Sequence, residues 1–124
     1  MVPGGNISLS GDRVVAPVDR DEMRKVALNL IVNAMDATSD GGTIAVEVGR
    51  DGDAFIRVSD NGCGISEDFL LNELFSPFKT TKNKGLGIGL YQCRQIVEGH
   101  GGRIEVASEP GKGSVFTVWV PVAG

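Results

Sequence analysis

Two spacings of apolar residues alternate along the chain. From Met23 to Ala34 the apolar positions Met23, Val26, Ala27, Leu30, Ile31 and Ala34 recur at steps of three and four. That is the repeat of a helix burying one face. From Thr43 to Gly49 the step changes to two, with Ile44, Val46 and Val48 alternating against Thr43, Ala45 and Glu47, as in a half-buried strand. "VDRD" ahead of the helix supplies an N-cap in Asp19 or Asp21, and "DGG" predicts its stop near Ser39. A partner strand, "AFIRVSD", follows the hairpin-type turn "RDGD". Short strands are expected within "MVPGGNISLSG" and at Val14 and Val15. "SEDFLLNELF", capped by Ser66, reads as a short helix. "LYQCRQIVEGH" reads as another, stopped by Gly101 and Gly102, and "GRIEVAS" and "SVFTVWVPV" are final strands flanking "EPGKG". The order predicts an α+β fold, a two-layer α/β sandwich. Its mixed, mostly antiparallel sheet has about five strands, packed on about three helices.

Composition narrows the classes without choosing among them. A length of 124 residues suits one domain with its own core. A net charge of −4 argues against generic nucleic-acid binding. No apolar run approaches the roughly 20 residues of a membrane helix, and no secretory signal pattern is present. Cys63 and Cys93 lack metal-ligand spacing and are too few for a disulfide framework. These features predict a cytoplasmic location with reduced thiols.

Three stations break the apolar pattern. In "NLIVNAMDA" the polar residues Asn29, Asn33 and Asp36 fall on one helical stripe, although asparagine and aspartate are mediocre helix formers. "DNGCGI" covers Asp60 to Ile65, and "KTTKNKGLGIGL" covers Lys79 to Leu90. The glycines of the last are spaced by two and do not directly follow a predicted strand, so they are not a dinucleotide fingerprint. "GKGS", Gly111 to Ser114, lacks the hydroxyl residue directly after lysine that a Walker loop needs, and reads as a hairpin turn.

In order, "NLIVNAMDA", "DNGCGI", "LFSPFKTTK", "GLGIGL" and "IVEGHGGRIEVASEPGKGSVFTVWVP" resemble the catalytic ATP-binding domain of sensor histidine kinases. These belong to the Bergerat-fold group, with type II topoisomerases, ninety-kilodalton heat-shock chaperones and mismatch-repair ATPases. The resemblance runs from about Val18 to Pro121. It implies one catalytic and ATP-binding domain over residues 1–124, with ATP and Mg2+ as cofactors and a lid over the nucleotide. It makes Asn33 the magnesium ligand, an uncharged oxygen suited to a hard cation that keeps several waters. It makes Asp60 the acceptor for the adenine amino group, with Gly62 and Gly64 clearing room for the base. Free N–H groups around Gly85, Gly87 and Gly89, ahead of a helix, suit phosphate oxygens. "KTTKNK" is the lid, where Lys82 is the first candidate for a phosphate contact, followed by Lys84 and Thr81. Ile65, Phe78, Leu86, Leu90 and Thr117 complete the implied nucleotide-binding set. Phe75 and Phe78 are expected to anchor the lid by packing, and Lys79 to Leu86 to move without nucleotide.

The resemblance also separates chemistries. ATP-hydrolysing relatives carry a glutamate four positions before the magnesium asparagine, and here that position is Asn29. An amide cannot take a proton from water near neutral pH. Asn29, Asn33 and Lys82 are therefore the expected catalytic set for transfer to a delivered nucleophile, and a neutral imidazole qualifies without a strong base. Asp36 departs from the basic residue common in histidine kinases and can accept hydrogen bonds from waters on magnesium. His100, in "EGHGG", ends a helix and is expected to be structural. The resemblance implies partners beyond this chain: a histidine-bearing dimerisation domain of a homodimeric parent, for which a membrane anchor is left open, and a downstream response regulator. The isolated chain is expected to be monomeric and inert as an autokinase. The alternatives are a serine-directed protein kinase of the same fold, an ATP-hydrolysing clamp and a non-enzymatic nucleotide sensor.

Overall fold

The computed structural model describes residues 6–11, 16–38, 42–64 and 90–122. Five strands and two helices lie among them: β1 (Asn6–Gly11), α1 (Arg20–Ala37), β2 (Thr43–Asp51), β3 (Asp53–Asp60), α2 (Leu90–Gly99), β4 (Arg103–Glu109) and β5 (Gly113–Val120). The sheet order is β1-β2-β3-β5-β4. β1 pairs with β2 in parallel, and the other three pairings are antiparallel. The expected mixed, mostly antiparallel sheet is present. Val14–Val15 and the helix expected from Ser66 to Phe75 lie outside the described residues.

α1 begins where its chemistry begins. The Asp19 carboxylate accepts from the Glu22 backbone N–H at 3.0 Å, and Asp21 and Glu22 in the first turn suit the positive end of the helix. The helix stops at Ala37, two residues short of the expectation. Thr38 turns to extended backbone, and its hydroxyl donates to the Ala34 carbonyl at 2.6 Å. Met23, Val26, Leu30 and Ala34 are buried along one face, as their spacing predicts. They meet Ile44, Val46, Ala54 and Val58 from β2 and β3, Phe116, Val118 and Val120 from β5, and Cys93 and Val97 from α2 in one core. Cys93 is fully enclosed, and burial pushes its thiol up to about 12.

Register decides which face each strand residue occupies. Val58 pairs with Val46 and Phe116, while Asp60 pairs with Ile44 and Ser114. Those positions share the helix-covered face. Phe55, Arg57, Thr117 and Trp119 share the opposite face. There the Arg57 guanidinium lies 4.6 Å from the Phe55 ring centroid, and the Phe55 and Trp119 centroids are 5.3 Å apart. This face covers itself with ring–ring and cation–ring contacts and has no helical layer among the described residues.

Candidate functional site

Two of the sequence stations converge at one end of the helix-covered face. On α1, Asn29 is 4% exposed and accepts a hydrogen bond from the Asn33 side-chain NH2 at 3.0 Å. That bond engages the Asn33 amide nitrogen with Asn29 and does not use its carbonyl oxygen, which is an acceptor. Asn33 is half-buried one turn before the helix end, and Asp36 is exposed beside it. Among the described residues no group of three or more histidine, cysteine, aspartate or glutamate side chains could hold a metal ion. The donor set offered is thus one amide oxygen with a carboxylate nearby. This fits magnesium carried by a nucleotide, which draws most of its ligands from phosphate and water.

The loop after β3 closes onto the same helix end. The Cys63 N–H donates to the Ala37 carbonyl at 3.0 Å. Asp60, at the end of β3, points to the helix face, and its carboxylate accepts from the Gly62 N–H at 2.8 Å. Asn61 ties the loop to β2 by accepting from the Thr43 N–H at 2.8 Å and donating its own N–H to the Thr43 carbonyl at 3.3 Å. On the other side, the Gly111 N–H donates to the Cys63 carbonyl at 2.8 Å. "DNGCG" is therefore held between the end of α1 and the β4–β5 turn.

The glycines of this loop also answer a demand of the fold itself. A methyl group on Gly62 would strike the Ala37 carbonyl. At Gly64, where φ is +74°, it would strike the Glu109 carbonyl. Both clear space first for the protein's own backbone. The turn "EPGKG" has the hairpin role its sequence predicts, joining β4 to β5.

Leu90 is the first residue of α2, and its side chain packs partly buried against the core. Thr117 is not brought to the site. It stands on the opposite face of β5 from Ser114, where Arg57 Nε donates to its hydroxyl at 3.3 Å. The physical reason is the two-residue period of a strand, which sends odd and even positions of β5 to different faces. Ser114 is the residue that the sequence reading missed. It is Asp60's register partner, is 4% exposed, and its hydroxyl lies 2.7 Å from that of Ser108. Counting from the buried Phe116 and Val118 would have found it. Ile65, Phe78, Thr81, Lys82, Lys84, Gly85, Leu86, Gly87 and Gly89 lie outside the described residues, as does the lid segment Lys79 to Leu86.

His100 has a structural position. Its Nε2 accepts from the Asp19 N–H at 3.0 Å, so Nδ1 carries the proton and donates to the Ile96 carbonyl at 2.8 Å. The imidazole joins the end of α2 to the N-cap of α1, with both ring nitrogens engaged inside the fold.

Residues 18–124 match the family of histidine kinase-, DNA gyrase B-, and HSP90-like ATPases. The chain is 47% identical over 105 residues to the sensor histidine kinase ZraS of Escherichia coli strain K12, covering 84% of this chain and 22% of that kinase. It thus spans about a fifth of the length of the curated relatives it matches. The catalytic domain of histidine kinase ThkA superimposes with a TM-score of 0.82 at 32% identity, covering 95% of this chain and 79% of that one. A structure of ThkA in complex with the response regulator protein TrrA matches with a TM-score of 0.75 at 31% identity, over 95% of this chain and 34% of that one. The chain belongs to the histidine kinase-, DNA gyrase B-, and HSP90-like ATPase family, as a catalytic ATP-binding domain of the sensor histidine kinase kind.

Proposed function

We propose that this chain binds magnesium-ATP and passes the γ-phosphate to a histidine on a separate dimerisation domain of a longer parent kinase. The observation that carries the reading is the amide pair Asn29–Asn33, set on the stripe that ends against the "DNGCG" loop. Asn33 is the residue that would hold magnesium, through the carbonyl oxygen that its bond to Asn29 does not use. Magnesium bound with ATP supplies charge neutralisation on the phosphates. Asp60 accepts from the adenine amino group through the oxygens that the Gly62 bond orients, and this favours adenine over a base with a carbonyl there. Asn29, buried beside Asn33, orients that amide and provides no base toward water. The lysines of "KTTKNK", Lys82 foremost, neutralise phosphate charge from the lid, and the N–H groups around Gly85 to Gly89 receive the phosphate oxygens.

The nucleophile comes from outside this chain, since its one histidine is engaged with Asp19 and Ile96. A neutral imidazole attacks phosphorus in line, and ADP leaves. The downstream acceptor is a response regulator, as the complex of the relative ThkA with TrrA suggests. The parent is a homodimer through that dimerisation domain.

The test mixes this chain, ATP, magnesium and the histidine-bearing domain of the parent. Acid-labile, alkali-stable phosphate on that domain, with little phosphate released to water by the chain alone, is the expected result. Acid-stable phosphoserine would favour the serine-directed alternative, and rapid hydrolysis by the lone chain would favour a clamp.

A further inference from the structure

We propose that Gly113, at the start of β5, is a positioning residue for purine selection, because the backbone there sets where Asp60 holds its carboxylate. The proposal rests on Asp60 being the residue that reads the purine. Gly113 adopts φ of +118°, and a methyl group on it would run into the Asp60 carbonyl and come within 2.9 Å of the Asn61 Cα. The start of β5 is thus in direct backbone contact with the peptide that carries the purine-reading residue. Only a residue without a side chain allows that approach.

Gly113 is itself held from behind. The Ser108 hydroxyl donates to the Gly113 carbonyl at 3.0 Å and touches the Ser114 hydroxyl at 2.7 Å. The rest of the turn grips the far end of the loop. The Gly111 N–H donates to the Cys63 carbonyl at 2.8 Å, and the Lys112 N–H donates to the Glu109 carbonyl at 2.9 Å. Glu109 in turn leaves no room for a side chain at Gly64. Across the loop, the Ala37 carbonyl blocks retreat at Gly62 and accepts from Cys63. A loop clamped from both sides transmits a shift of β5 to Asp60 instead of absorbing it. "EPGKG" therefore serves as a rigid backstop for base recognition as well as a hairpin turn.

The distinguishing readout is the preference for ATP over GTP, since general loosening weakens both nucleotides alike. Calorimetric titrations of the full chain with each nucleotide, in magnesium, compare five variants with the parent chain. Gly113→Ala should weaken ATP about tenfold, the loss of one charge-assisted hydrogen bond, with GTP little changed, so the preference collapses by the same factor. Ser108→Ala removes only the rear support and should shift the preference about threefold, with Ser108→Thr restoring it. Gly52→Ala is the control. Gly52 has φ of +77° in the β2–β3 turn at the other end of the sheet, with nothing within 4 Å of an added methyl. It carries the same kind of backbone strain and should keep the parent preference. Asp60→Asn tests the underlying reading. If it collapses the preference while Gly113→Ala and Ser108→Ala keep it, the positioning role is refuted alone. If Asp60→Asn keeps the preference, Asp60 does not read the purine, and both ideas fall. Should Gly113→Ala fail to give a folded circular dichroism spectrum, the Ser108 pair decides.

Discussion

The two faces of the sheet solve the same problem by different means. On the outer face, side chains do the covering. Phe55 is 8% exposed although no helix among the described residues lies over it, because Trp119 and Arg57 stack around it and Gly49 leaves space for its ring. Trp119 donates its indole N–H to Glu105 at 2.8 Å, and this bond, with Arg103 added, holds the Glu105 carboxyl below its usual range. At the site end of the helix-covered face, backbone does the holding. The carbonyls of Ala37, Glu109 and Asp60 press where side chains are missing, and the N–H groups of Cys63 and Gly111 bond across the gaps. Side-chain stacks tolerate adjustment through rotamers. Backbone contacts do not, so this end of the molecule can hold a recognition group in one place.

The largest test of this contrast is Asn33→Ala. It removes the amide oxygen proposed to meet magnesium while leaving the outer face untouched. Phosphotransfer to the separate histidine domain should fall by about a hundredfold or more, while stability falls only by about 1 kcal/mol for the lost bond to Asn29. Transfer rates matching the parent chain would break the assignment of Asn33. Trp119→Ala should do the reverse. Losing the stack on Phe55 and the bond to Glu105 should cost about 2 kcal/mol in urea denaturation, with nucleotide affinity preserved.

The two thiols sharpen the contrast further. Cys63 is exposed in the loop and Cys93 is buried in the core. A thiol reagent should modify one group in the folded chain and reach the second only after unfolding. Because burial raises the Cys93 thiol from 9.0 to about 12, the unfolded chain ionises first as pH rises. Its stabilising contribution is complete below pH 9 and is lost between there and pH 12. The slope is at most about 1.4 kcal/mol per pH unit, and it should be absent in Cys93→Ala, so that it appears as the difference between the parent chain and that variant. The smallest expected effect is Thr117→Val. Removing the hydroxyl that accepts from Arg57 should leave ATP affinity within error of the parent, whereas a threefold or greater loss would return Thr117 to the site.

Much of this was readable in advance because it depends on local order. The step of Met23, Val26, Leu30 and Ala34, the cap at Asp19 and the alternation of Ile44, Val46 and Val48 each act within a few residues. The stripe of Asn29 and Asn33 is legible for the same reason: helix geometry alone brings them together, and they bond at 3.0 Å. Thr117 shows the limit of motif reading. A threonine near the end of a resembling stretch looked like a nucleotide contact, and strand parity places it on the wrong side.

By itself, the sequence determined the elements, the family and the polar stripe, since period, capping and motif order are properties of neighbours along the chain. Only the tertiary structure decided why Gly62, Gly64 and Gly113 have no side chains, and that Ser114 stands opposite Asp60. Those facts arise where α1, the loop after β3 and the β4–β5 turn meet. Contacts between segments as distant as Ala37, Asp60 and Gly113 depend on the register of the whole sheet, which no single stretch of sequence contains.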